Sequence, residues 1–243
     1  MKSPIRITTL FLTLVASFVF QSCNKRECDY GNGNSGQQSV SLPAFHSIHV
    51  YGNGNVYLSE GPDQLVEVHG NDNAPGYFNL DVSNGILNIR NSDSKCYDDD
   101  NTIPDIYVTI PSVRKLIMNG SGTLRSTNTL LPDVLETEIS GSGVMLLAVV
   151  ANRVVSDLSG SCSLTLSGSS GTAKHSISGS PDLHAFMLET HDTEIDMNGS
   201  GLAEVWALDN LSIDMDGSSN VWYKGNPVVV SDQNGSGNIH HVE

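Results

Sequence analysis

Asn119-Gly-Ser-Gly122, Ser140-Gly-Ser-Gly143, Ser159-Gly-Ser-Cys162, Ser178-Gly-Ser-Pro181, Asn198-Gly-Ser-Gly201, Asp216-Gly-Ser-Ser219 and Asn234-Gly-Ser-Gly237 are seven returns of one phrase. The first glycines of the copies stand 21, 19, 19, 20, 18 and 18 residues apart, and a serine follows each of them. Self-similarity at about 20 residues is the signature of a stacked solenoid. Counting from that glycine, position −2 holds Met118, Ile139, Leu158, Ile177, Met197 and Met215, with Gln233 the exception. Position +4 holds Leu124, Met145, Leu164, Leu183, Ala203, Val221 and Ile239. Apolar residues also recur at −4 (Leu116, Ile195, Ile213) and +6 (Leu147, Leu166, Val205, Tyr223).

Steps of two on both sides of a glycine are the strand period, in which alternate side chains face a core. Each repeat therefore reads as strand, tight Gly-Ser corner, strand and variable return. One coil cannot bury its own apolar face, but coils stacked at roughly 4.8 Å per rung share a continuous core. The expected fold is all-β: a single-stranded parallel β-helix with 18–21 residues per rung. The competing arrangement is a sandwich in which the same phrases are hairpin tips. In the solenoid, the serines stack hydroxyl over hydroxyl and satisfy buried corner groups.

The chain opens with Lys2 and Arg6, an apolar run from Leu10 to Phe20, and Gln21-Ser22-Cys23. A basic start, a short apolar segment and a small residue before the cut make a secretory signal, too short for the ~20 apolar residues of a span. The cysteine after the small residue resembles a bacterial lipobox, so residues 1–22 are expected to be removed and Cys23 acylated; Phe20 and Gln21 also allow a plain signal-peptidase cut. Residues 23–39 are polar and Gly/Asn-rich and read as a tether, and 40–243 as the head domain.

Removal of 1–22 leaves ten of the 12 Lys and Arg against all 27 Asp and Glu, a net charge of −17. Such a surface repels phosphate backbones, which argues against nucleic acid as a partner. Of the remaining cysteines, Cys28 and Cys96 lie outside the regular rungs and are the candidate disulfide of an exported protein. Cys162 occupies a corner slot filled by glycine elsewhere and is expected to be a buried thiol.

The register starts early: Ile48 and Val50 precede Gly52, and Val56 and Leu58 follow it, at the spacings of the later rungs. Strands are expected over 65–70, 78–82 and 86–90, with Asn84-Gly85 as a hairpin turn, an acidic loop over 93–101 and a further strand over 106–110. This order of Phe45-x-x-Ile48-x-Val50-x-Gly52, strand pairs and serial (Ser/Asn)-Gly-Ser-Gly rungs resembles the autotransporter-adhesin head GIN domain family carried on bacterial lipoproteins. The resemblance spans about residues 40–240. It implies a right-handed β-helix and an adhesive cell-surface role, and it brings no catalytic residues.

Three outward features are candidates for function. Position −3 is a column of Glu138, Asp157, Asp196, Asp214 and Asp232. Stacked like charges repel unless water screens them or a hard cation bridges them, so Asp196, Asp214 and Asp232, and separately Asp98, Asp99 and Asp100, are the candidate Ca2+ ligands; no other cofactor is expected. Neighbouring acid pairs also suit a glycosidase or lyase, but every rung supplies one, and the column lacks the Arg/Lys partners such chemistry needs. Phe186, Trp206 and Trp222, flanked by His184, Glu204 and His240, form a ring patch for a glycan or protein ligand if strand parity holds past the corner. If the strand turns at +6, Phe186 and Trp206 instead seal the core.

These features describe a lipid-anchored cell-envelope protein acting as a non-catalytic binding or adhesion module, probing either the outside or the periplasm. The first alternative is a periplasm-facing structural or envelope-interaction protein, and the second a carbohydrate-active enzyme, a polysaccharide lyase or glycosidase, using the acidic column. The open edge of the last rung is expected to self-associate or to be covered by the N-terminal segment.

Overall fold

In the computed structural model, which describes residues 35–71, 74–92 and 103–243, the seven phrases lie directly over one another. The strands among these residues are β1 (Ser35–Ser39), β2 (Ser47–Gly52), β3 (Asn55–Glu60), β4 (Leu65–Asn71), β5 (Phe78–Ser83), β6 (Ile86–Asn91), β7 (Asp105–Ile110), β8 (Lys115–Gly120) and β9 (Thr123–Ser126). They continue as β10 (Val134–Gly141), β11 (Val144–Gly160), β12 (Ser163–Gly179), β13 (Asp182–Gly199), β14 (Leu202–Gly217), β15 (Asn220–Lys224), β16 (Val228–Gly235) and β17 (Asn238–His241). From β8 onward every pairing is parallel, and the register matches glycine to glycine. The fold is a parallel β-solenoid, and the sandwich alternative is excluded.

The corner explains the repeat. Gly120, Gly141, Gly160, Gly179, Gly199, Gly217 and Gly235 all have φ between +92° and +147°, a region that L side chains avoid. A Cβ at any of them would come within 3.0 Å of the carbonyl oxygen of the corner glycine one rung earlier. That same oxygen accepts the amide N–H of the following serine, as in Ser142 to Gly120 at 2.9 Å and Ser200 to Gly179 at 2.7 Å. The serine side chains themselves point to solvent, so the expected buried hydroxyl ladder is not what holds the corner. Backbone amides do that work, and among the described residues the direct hydroxyl contact in that column is Ser218–Ser236 at 3.0 Å.

Inside, the −2 column from Met118 to Met215 and the +4 column from Leu124 to Val221 are buried on successive rungs. A fully buried side chain of this size contributes about 1.5–3 kcal/mol. Position +2 also points inward, so Cys162 is a buried free thiol, and burial pushes its pKa up.

The start of the solenoid departs from chain order. β2 and β3 form one rung, yet β8 and β9 stack on one side of it while β6 and β7 stack on the other. Residues 61–110 thus run out to the far side and return. β4 and β5 close that end antiparallel, on β7 and β6, with Asn84 (φ 51°) and Gly85 (φ 73°) making the β5–β6 turn. β1 adds antiparallel to β4. Ser35–Ser39, inside the stretch read from sequence as tether, is thus paired to the head. β1 also lies at the opposite end from the last rung, so β1 itself does not cover the C-terminal edge, and the residues before it lie outside the described residues. There Ser231 and Gln233 replace Ile213 and Met215 at inward positions, and Gln233 Nε2 bonds back to Gly237 O at 2.5 Å. Cys23, Cys28, Cys96 and Asp98–Asp100 lie outside the described residues.

One seam of the core is polar. Thr137, Ser156 and His175 occupy one inward column ahead of Ile195, and His175 Nδ1 and Ser156 Oγ have no hydrogen-bond partner among the described residues. Burial lowers the His175 pKa from 6.5 to about 4.

Two predictions follow from packing. Gly199→Ala is expected to cost upward of about 2 kcal/mol in denaturant titration, combining a strained φ with a backbone clash. Gly36→Ala, whose nearest neighbour would be 3.9 Å away, is expected to be neutral. For His175, the unfolded chain takes up a proton near pH 6.5 that the folded chain refuses until about pH 4. Stability is therefore full above 6.5 and falls by roughly 3 kcal/mol as pH drops to 4. His175→Ile, matching the next rung, is expected to remove that part of the acid slope in melts across this range.

Candidate functional site

The outward positions of the solenoid divide into two chemically different faces. The first carries the −3 and −5 columns. Glu138, Asp157, Ser176, Asp196, Asp214 and Asp232 stand in register from β10 to β16. Upstream, lysines are interleaved: Lys115 Nζ lies 3.1 Å from Glu138 and 3.7 Å from Glu136, and Lys174 Nζ lies 2.6 Å from Glu194. Asp196, Asp214 and Asp232 are exposed on three successive rungs, with no ion pair among the described residues. Among those residues no group of three or more His, Cys, Asp or Glu side chains is arranged to hold a metal ion. The −3 carboxylates lie on open sheet surface, and beside them, at −5 and −7, Arg153, Lys174, Asp192, Glu194, Asn210 and Ser212 line an open groove of about 490 Å³.

The second face carries the +5 and +7 columns. His184, Glu204, Trp222 and His240 all stand at +5 and pair directly, rung to rung, from β13 to β17. His184 Nδ1 and Glu204 Oε2 are 2.7 Å apart, and the Trp222 and His240 rings stack with centroids at 4.2 Å and an interplanar angle of 24°. At +7 stand Phe186, Trp206 and Lys224, and the Lys224 ammonium sits 4.2 Å from the Trp206 centroid and 5.7 Å from that of Phe186. Parity holds past the corner: Ala185, Val205 and Ala207 are buried, while Phe186 and Trp206 are half-exposed and Trp222 is 38% exposed.

Two details differ from a simple column of rings. The β13–β14 register shifts between Ala185 and Glu189, so Trp206 pairs with Glu189 and Phe186 rides on a bulge with exposed Met187. Rings on adjacent rungs that stack nearly parallel must lie across the solenoid axis. They cover one another's faces and turn their edges outward. Lys224 was not singled out by the sequence reading, although counting +7 from Gly217 reaches it.

The same +5 column continues upstream through Thr165, Leu146, Arg125 and Tyr57 to Tyr107. Tyr57 and Tyr107 stack at 4.7 Å and 10°, with His69 on the far side of Tyr107 at 4.3 Å. Tyr57 is +5 from Gly52, a placement legible in the sequence; Tyr107 follows no corner glycine, and only the structure assigns it.

The sequence profile described as "Putative auto-transporter adhesin, head GIN domain" matches residues 44–227. The chain belongs to this family. Among crystal structures similar to this head GIN chain is a Bacteroides fragilis protein described as a "putative adhesin", with 20% identity and a TM-score of 0.81 over 88% of this chain and 100% of that one. A Parabacteroides distasonis protein of the same description has 24% identity and a TM-score of 0.73 over 88% and 99%. A second protein from that organism, described as a "putative lipid binding protein", has 21% identity and a TM-score of 0.71 over 89% and 100%. At these identities the likeness shows the shared fold. No curated protein matches the chain.

The acidic column of this head GIN domain yields its own test. Asp214→Asn is expected to raise stability by about 0.2–1 kcal/mol at low ionic strength by relieving like-charge stacking. The gain should fade in 1 M salt, where screening acts over ~3 Å. Paired denaturant titrations measure this, and a loss of stability specific to calcium-containing buffer would instead mean that a cation bridges the column.

Proposed function

We propose that this protein is a cell-envelope lipoprotein, held through an acylated Cys23, whose solenoid is a non-catalytic binding module of the adhesin type. The observation that carries this reading is the second face. Seven ring-bearing or charged side chains, His184, Phe186, Glu204, Trp206, Trp222, Lys224 and His240, stand outward in two adjacent columns on a rigid sheet. Aromatic groups beside polar ones on a sheet held at fixed spacing make a contact surface that needs little reorganisation on binding. Family membership supports the same reading, because the family is described in terms of adhesion. The second face offers rows of repeated groups along the sheet, an arrangement that favours binding over turnover.

The export signal and the net charge fit this placement. A surface with 27 acidic groups stays soluble off an anionic membrane while a lipid at one end holds it there. Cys23→Ser is expected to move the protein from the membrane pellet to the soluble fraction. Protease added to intact cells is expected to degrade the wild-type head. A head that resists protease until the outer membrane is permeabilised would place it facing the periplasm and contradict the outward adhesin.

A further inference from the structure

The contact face has two ends, and their chemistry matches. At the C-terminal end, Trp222 and Trp206 stand with Lys224; at the other, Tyr107 and Tyr57 stand with Arg125 on three successive rungs. Arg125 is exposed, and neither Arg125 nor Lys224 has a carboxylate within ion-pair distance among the described residues. The acidic groups of this face are mostly engaged inside the protein. Glu204 holds His184, Asp105 Oδ1 accepts from Asn55 at 2.9 Å, and Glu67 accepts from Gln37 at 2.6 Å and lies beside His69; Asp182, and Glu189 in register with Trp206, are the exceptions. The first face, on the other side of the Gly-Ser corner, has the reverse balance, with Lys115 and Lys174 consumed by glutamates and Asp196, Asp214 and Asp232 left over.

We propose that this face is a single linear track for an extended acidic polysaccharide, such as a polyuronate, lying along the solenoid axis and gripped at both ends. The proposal rests on the binding-module reading above and names its ligand class. Stacked rings with their edges outward offer phenol O–H, indole N–H and imidazole N–H groups, which suit a hydroxyl-rich chain. The two uncommitted cations supply sites for its carboxylates. Between the ends lie Leu146, Thr165, His184 and Glu204, a shallow and mostly uncharged stretch on the same sheet face. The large exposed apolar side chains that would build the core of a protein interface lie mainly elsewhere, among them Leu131, Val134, Val150, Val228 and Val230. From Arg125 to Trp222 is five rung steps, about 24 Å, so only a chain of at least that length reaches both ends. The net charge of −17 that disfavours polyanions at long range is screened beyond ~8 Å at physiological salt, so the two cations act on carboxylates locally, at contact distance.

The test is binding of oligogalacturonates of defined length to the full soluble head, followed by calorimetry, with neutral cello-oligosaccharides alongside. Affinity is expected to step up once the oligomer exceeds the ~24 Å span, as the second contact becomes intramolecular. Arg125→Gln should lower long-chain affinity about tenfold, leave short-oligomer binding unchanged, and be rescued in part by Arg125→Lys. Lys224→Gln should weaken binding of both lengths. Unchanged melts of these exposed-site variants would show that folding is intact. Long-chain binding indifferent to Arg125→Gln, or equal binding of neutral chains, overturns the two-ended acidic track while leaving the face itself in place. Uronate binding that survives Lys224→Gln and Trp222→Ala removes the face as the contact surface altogether. Failure of every glycan, with capture of a protein partner lost in Trp222→Ala, overturns the polysaccharide and keeps the module.

Discussion

Everything in this molecule depends on one backbone contact, the corner-glycine carbonyl accepting the amide of the serine on the next rung. It forms at 2.7–3.0 Å from Ser121 through Ser236. The geometry that makes it leaves no room for a Cβ, because the oxygen that accepts the bond is the atom a methyl group would strike. Positive φ alone would tolerate an occasional asparagine. The close approach of two backbones does not, and this is why glycine stands at every one of these corners while its neighbours vary among serine, asparagine and aspartate. Once the corners are locked, the pairings on both sides inherit their register. Every position counted from the glycine then becomes a line along the solenoid.

Function, on this account, is a consequence of lines. A strand in an ordinary sheet places a chosen side chain beside one or two others. Here each outward position is repeated at rung spacing, so a short run of matched residues becomes a surface. The two faces show how different such surfaces can be. One accumulates carboxylates that repel each other and are partly relieved by Lys115 and Lys174. The other accumulates rings that stack along the axis, Trp222 on His240 and Tyr57 on Tyr107, and so contributes to holding the rungs together while presenting polar edges outward. That double role constrains how binding can occur. A ligand meets ring edges and the cations beside them, not open ring faces.

Much of this was legible in the sequence, and the reasons are specific. The glycine spacing and the apolar residues at −2 and +4 fix strand parity, and parity alone separates Trp222 from Val221 and Asp214 from Met215. Three things were not legible. The order of rungs at the start differs from chain order because β2 and β3 have no stacking preference visible in their residues, and only the return of β6 and β7 reveals their second neighbour. The strand at Ser35–Ser39 carries no signal because the segment is polar on both sides, and its strand character comes from the waiting edge of β4. The serine ladder was expected inside because hydroxyls can satisfy buried groups; the corner instead turns +1 outward, and the backbone amide takes that role. The bulge at Phe186–Leu188 belongs to the same class, since its extra residues show only against the partner strand.

The central claim is that chain positions separated by about 20 residues lie one rung apart along a single axis. Electron-electron distance measurements between spin labels at +5 positions test it most directly. With the native cysteines replaced, labels paired with one at Trp222 can be placed at Leu146, Arg125 and Tyr57, four, five and six rungs away. The account predicts mean separations near 19, 24 and 29 Å, rising by ~4.8 Å at each step. Distances that fail to increase in that order would contradict it, whatever the chain binds.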